Sequence, residues 1–483
     1  MNTEITPAEA SCEPTGENHP IRRFWPLFFV QACISIAIAG LMLNTVGLSN
    51  VIWPGEKFHS LEFGFIISAK LTTVSVVGVL MGILADRFSR KKLMLLALAT
   101  MAAGKLFNAF AAQPWMFLDF LSCYVIVGAG EGGIAPIIFS IANDDCHLDH
   151  RSKFFGTLEG IRQVAVIVGM FISAFLIDAD LWHVYFLSMG LLLVAAFIVA
   201  AVYLHEPKRA KEAHESLKRV LSMTTAHYSY QLTPETIKQT IFSRTNVLAF
   251  LEGLFTWIMF SVAIYLIYPW VQDVHGVSAV STSVLMLVFG MPGVIVGAIG
   301  FSRLSDKLAK TNIKYRIYMI VFSIVTLFAV VIGMFLLPIP DVDPSLSSDL
   351  RILIIFPIFI AFGVLIFFLR GVLGIYHINQ NPVLQAINLP EAQGFISSAN
   401  QFLENMGYGI GPLIAGIFLT LNGNNYPLTA LVSLFIGLPS IFMWLFAARW
   451  VNGDVARINA ILATRAGEIA HDDESREEPS PTE

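Results

Sequence analysis

Long apolar stretches separated by short polar ones repeat along almost the whole chain. Each stretch has roughly the 20 residues that an α-helix needs to cross the hydrocarbon core of a bilayer. The pattern therefore predicts twelve membrane-spanning helices, which we number as spans in chain order. Their predicted boundaries are 24–48, 61–85, 93–112, 116–141, 153–178, 182–204, 247–271, 279–303, 314–337, 351–378, 392–421 and 427–450.

The composition agrees with a membrane protein. The chain is 55% apolar and 13% charged, with a mean hydropathy of +0.69, whereas soluble proteins carry roughly a quarter charged residues. The first apolar stretch follows a polar tail and is too long for the core of a signal peptide, so we expect no cleaved leader. The four cysteines are scattered and predict neither a disulfide framework nor a metal site.

Lysine and arginine are distributed very unevenly between the two sides of the predicted bundle. With an even number of spans, 24 of the 30 lie in tails, loops or span ends on the side of the termini, 2 lie in a loop or span end on the other side, and 4 lie deep inside spans. Because positive residues accumulate in cytoplasmic loops, both termini are predicted to be cytoplasmic. We expect a multi-pass protein of the cell (inner) membrane.

The chain also looks doubled. A polar stretch at 205–246 separates six spans from six, and Asp306 follows span 8 as Asp86 follows span 2. The predicted organisation is an N-tail at 1–23, a six-helix bundle at 24–204, a linker at 205–246, a second bundle at 247–450 and a C-tail at 451–483. The linker is either an amphipathic helix at the membrane surface or an ordinary connection.

The connection between spans 2 and 3 is the most densely charged one between any two spans of the first half. Gly82 allows close backbone packing, and Asp86 can accept hydrogen bonds from a neighbouring helix N-terminus. Arg87 and Arg90 hold the turn on the cytoplasmic side.

This stretch, Gly-Ile-Leu-Ala-Asp-Arg-Phe-Ser-Arg-Lys-Lys, resembles the signature loop of the major facilitator superfamily, Gly-x-Leu-Ala-Asp-Arg-x-Gly-Arg-Lys-Lys, with Ser89 in place of a glycine. The resemblance implies an all-α membrane protein of twelve helices in two six-helix pseudo-repeats. It also implies a secondary transporter in which this loop acts as a gate that stabilises the outward-open state. The gate residues would be Gly82, Asp86, Arg87 and Arg90.

Two further stretches carry the resemblance. In span 4, Gly-Ala-Gly-Glu-Gly-Gly-Ile-Ala-Pro at 128–136 is similar to a run in members that carry organic anions and to the Gly-Glu motif of spinster-type lipid transporters. In span 11, Gly-Tyr-Gly-Ile-Gly-Pro at 407–412 resembles the family's glycine-rich packing helix. Tyr124 stands where the family often has an arginine, and Met170 follows Gly169 where many exporters have proline.

Ionisable side chains inside the spans are candidates for function, because each costs at least ~2.5–3.5 kcal/mol at mid-bilayer unless it faces a cavity or a partner. Glu131 of span 4 and Arg162 of span 5 lie at a similar depth, ~14 Å from the cytoplasmic end at 1.5 Å per residue. We predict that they pair, with either a structural role or a role in substrate or proton binding. Glu159, at i−3, could share Arg162.

The remaining ionisable positions have weaker assignments. Lys70 and Arg370 are candidates for binding an anionic substrate, although Lys70 could instead extend to the interface. Glu404 is a candidate proton site, a partner for a cation or a packing residue. Lys105 is expected to be structural or to extend to the interface, Glu252 to cap the cytoplasmic mouth, and His377 to be solvated or capped.

Five uncharged positions could shape a pocket, although each by itself is more typical of packing than of recognition. They are Asn44, Trp257, Tyr265, Tyr376 and Asn400.

The chain lacks the motifs of the main alternative classes. It has no phosphate-cradling Gly-Lys-Ser/Thr loop, no nucleophile elbow and no metal-binding cluster, so we predict no enzymatic activity and no cofactor. A channel is disfavoured because no filter-like element is present. We expect a monomer in the lipid bilayer, with a small-molecule substrate and no nucleic-acid partner.

The predicted function is secondary active transport of a small organic solute by alternating access. The four cations inside spans favour an anion as substrate, and a proton is the expected coupling ion, with Glu131, Glu159 and Glu404 as candidate carriers. Two alternatives remain open: export of lipid-like or hydrophobic compounds, including drugs, and a membrane sensor that does not transport.

Overall fold

The computed structural model describes residues 23–145, 148–206, 243–343, 346–347 and 349–477, and these residues form helices and loops without a β-strand. The predicted N-tail and nearly all of the linker, including its possible amphipathic helix, lie outside the described residues. Nine of the described helices are long and apolar enough to cross a membrane. The other predicted spans (1, 3 and 8) are present as shorter, broken or more charged helices.

The first half contains spans 1 to 6. Span 1 is divided into Trp25–Ile38 and Thr45–Ile52, and the Asn44 side chain donates to the Gly40 carbonyl oxygen at the break. The other helices run through Ser60–Arg87, Arg90–Asn108, Met116–Asp145, Leu148–Asp178 and Trp182–Tyr203.

The second half contains spans 7 to 12. Its helices are Arg244–Pro269 with a π-helical turn at Trp270–Val274, then the segments of span 8, then Lys314–Leu336, Ile352–Ile355 with Pro357–Ala386, Pro390–Leu421 and Tyr426–Glu477. Span 8 consists of Ala279–Leu285, Met291–Ile295 and Phe301–Thr311, joined by π-helical turns at Met286–Gly290 and Val296–Gly300. Pro292 explains part of this irregularity, because proline cannot donate the helical hydrogen bond at its position.

Span 12 continues well beyond its predicted end at 450. Its extension packs against the start of span 7, where Thr245 donates a hydrogen bond to Asp454 and the Arg244 guanidinium lies over the Trp450 ring. The helix persists because its side chains contact another helix after the apolar stretch has ended.

The same helix pairs are in contact in both halves. In the first half these are spans 1 and 5, 1 and 6, 2 and 4, 3 and 4, and 3 and 6; in the second half they are 7 and 11, 7 and 12, 8 and 10, 9 and 10, and 9 and 12. Each pair of the second set is the first with six added to both numbers. The predicted all-α fold of two six-helix pseudo-repeats is therefore confirmed.

The two halves meet along spans 2 and 11 and along spans 5 and 8. A β-carbon at Gly64 would collide with the Pro412 carbonyl oxygen, and one at Gly409 would lie 3.3 Å from the Thr72 nitrogen. Tyr265 of span 7 donates a 2.5 Å hydrogen bond to the Ser60 carbonyl oxygen in the same seam. These contacts close one end of the bundle.

The bundle is open at the other end, which we call the basic face because it carries Arg87, Arg90 and the rest of the loop between spans 2 and 3. Beyond Thr72 the seam side of span 2 becomes exposed, with Val79 at 49% and Ile83 at 51%. Gln401 and Asn405 of span 11 are exposed too. The halves therefore diverge from mid-span towards the basic face and are sealed at the opposite face.

Candidate functional site

Two adjoining cavities, of about 310 Å³ and 200 Å³, lie between the halves at the point where the seam ends. Both are lined by Val166 and Met170 of span 5, Arg370 of span 10 and Tyr408 of span 11. The larger cavity extends between spans 5 and 8, and the smaller one reaches spans 1, 2 and 7. Spans of both halves therefore line one central space.

Arg370 is the charge that both cavities share. It lies beside the Tyr268 hydroxyl, and within the described residues its guanidinium forms no ion pair with a carboxylate. An arginine at this depth is costly unless something solvates or neutralises it. Its position therefore provides a strong bidentate donor for an anion that enters the cavity.

Arg162 lines the larger cavity, but its partner is Glu159. Its Nε and one terminal nitrogen donate to the two Glu159 carboxylate oxygens at 2.7 Å and 2.5 Å. Both side chains are about half exposed, at 45% and 53%. The suggestion that Glu159 could share Arg162 is therefore correct in its geometry, and the pair faces the open side of the cavity.

The predicted pair between Glu131 and Arg162 is wrong. Glu131 instead contacts Lys70 of span 2, with 2.7 Å between Oε2 and Nζ and both side chains largely buried. The glycines on either side of Glu131 explain this choice: a β-carbon at Gly128 would lie 2.6 Å from the Lys70 carbonyl oxygen, and one at Gly132 2.5 Å from that of Val74. These small residues bring span 4 against span 2, and Glu131 faces the same neighbour.

We expect the substitution Glu131→Gln to lower the unfolding free energy by about 3–5 kcal/mol, because it leaves the Lys70 ammonium buried without a counter-charge. The double variant Lys70→Gln/Glu131→Gln should recover most of this loss, since neither charge remains. Titration of the purified protein with SDS measures both. A single variant as stable as the wild type would show that the contact is not a stabilising ion pair.

Lys70 itself lines the smaller cavity, whereas several further predicted site residues lie away from both cavities. Asn44 is buried and donates to Gly40 and to Ser173 of span 5, so it packs helices rather than lining the cavity. Lys105 is 1% exposed and does not reach the interface; its ammonium lies over three rings, 5.2–5.3 Å from their centroids. The cation–π contacts make a structural role the better interpretation.

Tyr376 and Glu404 also lie outside the cavity, in a buried cluster between spans 7, 10 and 11. Glu252 belongs to the same cluster and is completely buried, so the expectation that it caps the cytoplasmic mouth is wrong. Span 7 packs closely on span 11, since a β-carbon at Gly253 would lie 3.1 Å from Glu404 Cγ. His377 is exposed beside this cluster, its ring 5.5 Å from that of Trp257.

An arginine of the predicted gate loop, at the start of span 3, binds span 4. Arg90, at the start of span 3, donates from Nε to Ser140 Oγ of span 4 at 2.5 Å. The second half has an equivalent contact, where Arg316 at the start of span 9 reaches the Ile378 carbonyl oxygen of span 10 and pairs with Asp306 at 2.7 Å. Gly82 lies in the basic-face half of the span 2 helix, and the exposed Arg87 ends that helix. The side chain of Asp86 is outside what the structure describes.

Glu206, just after span 6, binds the N-terminus of span 3. Its carboxylate accepts from the Ser89 hydroxyl at 2.6 Å and from the Arg90 and Lys91 backbone amides at 2.8 Å each. Amides in the first turn of a helix have no acceptor within the helix, and they carry the positive end of its dipole. Partial burial acts to raise the pKa of Glu206, but these hydrogen bonds and the Arg90 charge outweigh it and lower the pKa below 4.5.

The lowered pKa of Glu206 determines how its contribution to stability changes with pH. The contribution of Glu206 to stability is complete above the unfolded-state pKa near 4.5 and is lost as the pH falls through the lower folded-state value. We expect Glu206→Gln to speed amide hydrogen exchange at Arg90 and Lys91 at neutral pH. At acidic pH the wild type and the variant should exchange these amides at the same rate as each other. Identical rates at neutral pH would show that Glu206 does not cap span 3.

Tyr408 and Tyr268 line the cavity without having been predicted as site residues. Tyr408 had a usable signal, because it is the one large aromatic side chain inside the glycine-rich run at 407–412. Tyr268 had none, since it lies in an uninterrupted apolar stretch. Trp257 also contacts Tyr408, with 5.7 Å between ring centroids, whereas Tyr265 serves the seam and Asn400 the buried cluster.

Comparison with known proteins defines the class. The sequence profile of the Major Facilitator Superfamily matches residues 28–373, which is most of the chain, and the chain belongs to this family. With two helical halves around a central charged cavity, it is a membrane transporter and not an enzyme.

Individual relatives have low sequence identity to this chain. Multidrug resistance protein 3 of Bacillus subtilis is 22% identical, covering 81% of this chain and 80% of its own length. The quinolone resistance protein NorA of Staphylococcus aureus is 23% identical, covering 81% and 86%. A niacin transporter of Acinetobacter baylyi is 26% identical, but the match covers 42% of this chain and about half, 47%, of the relative.

Solved structures share the fold. A bacterial homologue of the human lysosomal transporter Spinster, in an inward-facing and occupied conformation, gives a TM-score of 0.68 at 15% identity, covering 91% of this chain and 99% of that one. The nucleoside transporter NupG gives 0.61 at 15% identity, covering 89% and 99%.

Proposed function

We propose that the protein carries a small organic anion across the membrane by alternating access, coupled to a proton. One observation carries the substrate class: Arg370 lies in the central space and, within the described residues, is not neutralised by a carboxylate. A cation that faces the space between the two halves favours a negatively charged ligand.

The other residues that line the larger cavity indicate the chemistry of the uncharged part of the substrate. Apolar side chains of spans 5 and 8 line the larger cavity together with Arg370, among them Ile167, Met170, Phe171, Met286 and Leu287. Pockets of this kind bind an apolar body and use a few polar groups to orient it. A carboxylate on a ring or short apolar chain fits this pattern, and the partial similarity to a niacin transporter makes nicotinate a sensible first probe.

The direction of opening follows from the orientation that the basic loops predict. If the basic face is cytoplasmic, the described conformation is open to the cytoplasm and sealed outside. The seam along spans 2 and 11 is then the outer gate, and the Arg90 and Arg316 contacts belong to the inner gate region. Both termini would be cytoplasmic.

The coupling proton needs a group that can gain and lose charge. Glu131 and Glu159 each form an ion pair with a lysine or arginine, so both are already engaged in this conformation. Glu404 has no cation beside it within the described residues. Of the three candidate carriers, Glu404 is therefore the one that the contacts favour.

The second candidate substrate class is a lipid-like or hydrophobic compound. The apolar lining of the larger cavity favours it. The two classes differ in their need for Arg370, because a neutral apolar substrate does not require a guanidinium.

Counterflow in proteoliposomes tests the proposal. Vesicles loaded with unlabelled nicotinate should accumulate labelled nicotinate, and a panel of other aromatic and short-chain carboxylates should compete. Nicotinamide, which keeps the ring and lacks the charge, should neither exchange nor compete. Exchange of neutral apolar compounds but of no anion in the panel would overturn the proposal in favour of the second class.

A further inference from the structure

We propose that Glu252 and Glu404 together form a single buried proton-binding site in the second half, and that this site couples proton movement to transport. The coupling role rests on the proposed transport function; the proton site itself does not. The site is formed by spans 7, 10 and 11, apart from the Lys70 and Arg162 ion pairs of the first half.

Burial is the first argument. Glu252 is 0% exposed and Glu404 9% exposed, both within spans that cross the membrane. Neither makes an ion pair with any described lysine, arginine or histidine. Two ionised carboxylates in such a place would each carry a desolvation penalty of several kcal/mol and would repel each other. A bound proton removes one charge and the repulsion.

Uncharged hydrogen-bond donors surround both carboxyl groups, and Gln380 lies beside Glu404 as well as beside Tyr376. Thr256 Oγ1 donates to Glu252 Oε1 at 2.6 Å, and the Tyr376 hydroxyl donates to Oε2 at 3.0 Å. Gln380 donates to the Tyr376 hydroxyl at 2.9 Å. On the other side Asn400 Nδ2 donates to Glu404 Oε1 at 2.8 Å. These donors can stabilise one negative charge spread over the cluster, but they supply no positive charge.

Asn400 offers an acceptor for the bound proton. Its side chain is 3% exposed, and Oδ1 has no hydrogen-bond donor, although the same amide donates to Glu404. Oδ1 and Glu404 Oε1 face the same spot beside Gly253, 3.6 Å and 3.4 Å from where a β-carbon would be. A protonated Glu404 carboxyl would supply the donor that Oδ1 lacks, since an acid and an amide pair through two hydrogen bonds.

The cluster is placed to sense the cavity. Glu404 lies one helical turn from Tyr408, which lines both cavities, and Trp257 contacts the Tyr408 ring. Tyr376 is on the same helix as Arg370. Among the described residues, the titratable side chains beside the pair are Tyr376 and His377 of span 10 and Tyr408 of span 11, and no lysine or arginine forms an ion pair with either carboxylate. Movement of spans 10 and 11 on substrate binding would therefore change the solvation of the pair.

The chemical step is a simple protonation. One carboxylate oxygen accepts a proton delivered by water and returns it to water when the site is wetted in the other conformation, with no other bond made or broken. Alternating exposure of the pair would then move one proton per cycle.

Infrared spectroscopy of the reconstituted protein tests the site without any substrate. We expect a protonated-carboxyl C=O band at neutral pH that is lost in Glu252→Gln/Glu404→Gln. The exposed control Glu159→Gln should keep it. A band of unchanged intensity in the double variant, or no band in the wild type, would overturn the proposal.

Two transport measurements then test the coupling role separately. Glu404→Gln should retain nicotinate counterflow, which needs no net proton movement, while accumulation driven by a pH gradient should fall about tenfold or more, in the range of typical coupling energies. Gradient-driven accumulation that survives in both single variants, or that requires sodium instead of a pH gradient, would overturn the coupling role. Absence of nicotinate counterflow in the wild type would count against the proposed substrate and leave the infrared result standing.

Discussion

The substitution Arg370→Gln is expected to reduce anion exchange by about thirtyfold or more. Removing one partner of a desolvated, hydrogen-bonded charge pair typically costs about 2–5 kcal/mol, and ~1.4 kcal/mol corresponds to a factor of ten. Glutamine keeps hydrogen-bonding capacity and much of the length, so the loss would report the charge. The initial rate of counterflow in proteoliposomes is the measurement.

Two other arginines provide the comparison. Arg351→Gln changes a side chain that is 81% exposed and pairs with Asp349 in a loop, so exchange should stay at the wild-type level. Arg162→Gln should have an intermediate effect, since that residue lines the cavity but is already neutralised by Glu159. If exchange of every tested anion survived both Arg162→Gln and Arg370→Gln, the proposed recognition of the anion by these arginines would be wrong.

The second large effect is expected from Gly64→Val, in the seam between spans 2 and 11. A side chain there would collide with the Pro412 carbonyl oxygen, which is part of a helix backbone and can move only with the whole helix. Overpacking of this kind costs typically about 1–3 kcal/mol, enough to shift a two-state equilibrium roughly 5- to 150-fold. The sealed end should therefore open in a much larger fraction of molecules.

Labelling with an impermeant maleimide measures this shift. A cysteine at Leu41, a buried residue lining the smaller cavity, should react faster from the sealed end in the Gly64→Val background. Gly160→Val is the matched control, because a β-carbon at Gly160 would meet nothing within 4 Å. Equal reactivity in all three backgrounds would show that the seam is not the gate.

The large-scale architecture could be predicted because it depends on patterns that extend over many residues. Apolar runs of membrane length, their polar separators and the signature loop gave the span order, and the Asp306 echo of Asp86 indicated the repeat. Span 8 shows the limit: its length was predicted, but the π-helical turns around Pro292 depend on packing against span 10, where Gly293 and Gly297 contact the neighbouring backbone.

Partners across helices were harder to predict, because depth alone does not fix the direction of a side chain. Glu131 and Arg162 are at similar depth, yet glycines turn the Glu131 face towards Lys70. Glu252 was placed at the mouth by its distance from the helix start, although close packing of Gly253 against span 11 buries it. Arg370 was assigned correctly to the cavity because span 10 lines it in this fold.

Alternating access around Arg370 is tested most directly by the distance between spin labels at Ile83 and Gln401, on the basic-face ends of spans 2 and 11, after replacement of the four native cysteines. Adding an anion that the wild-type protein exchanges should shift the distance distribution towards shorter values, and the same anion should leave Arg370→Gln unchanged. An identical distribution with and without the anion in the wild-type background would contradict this account.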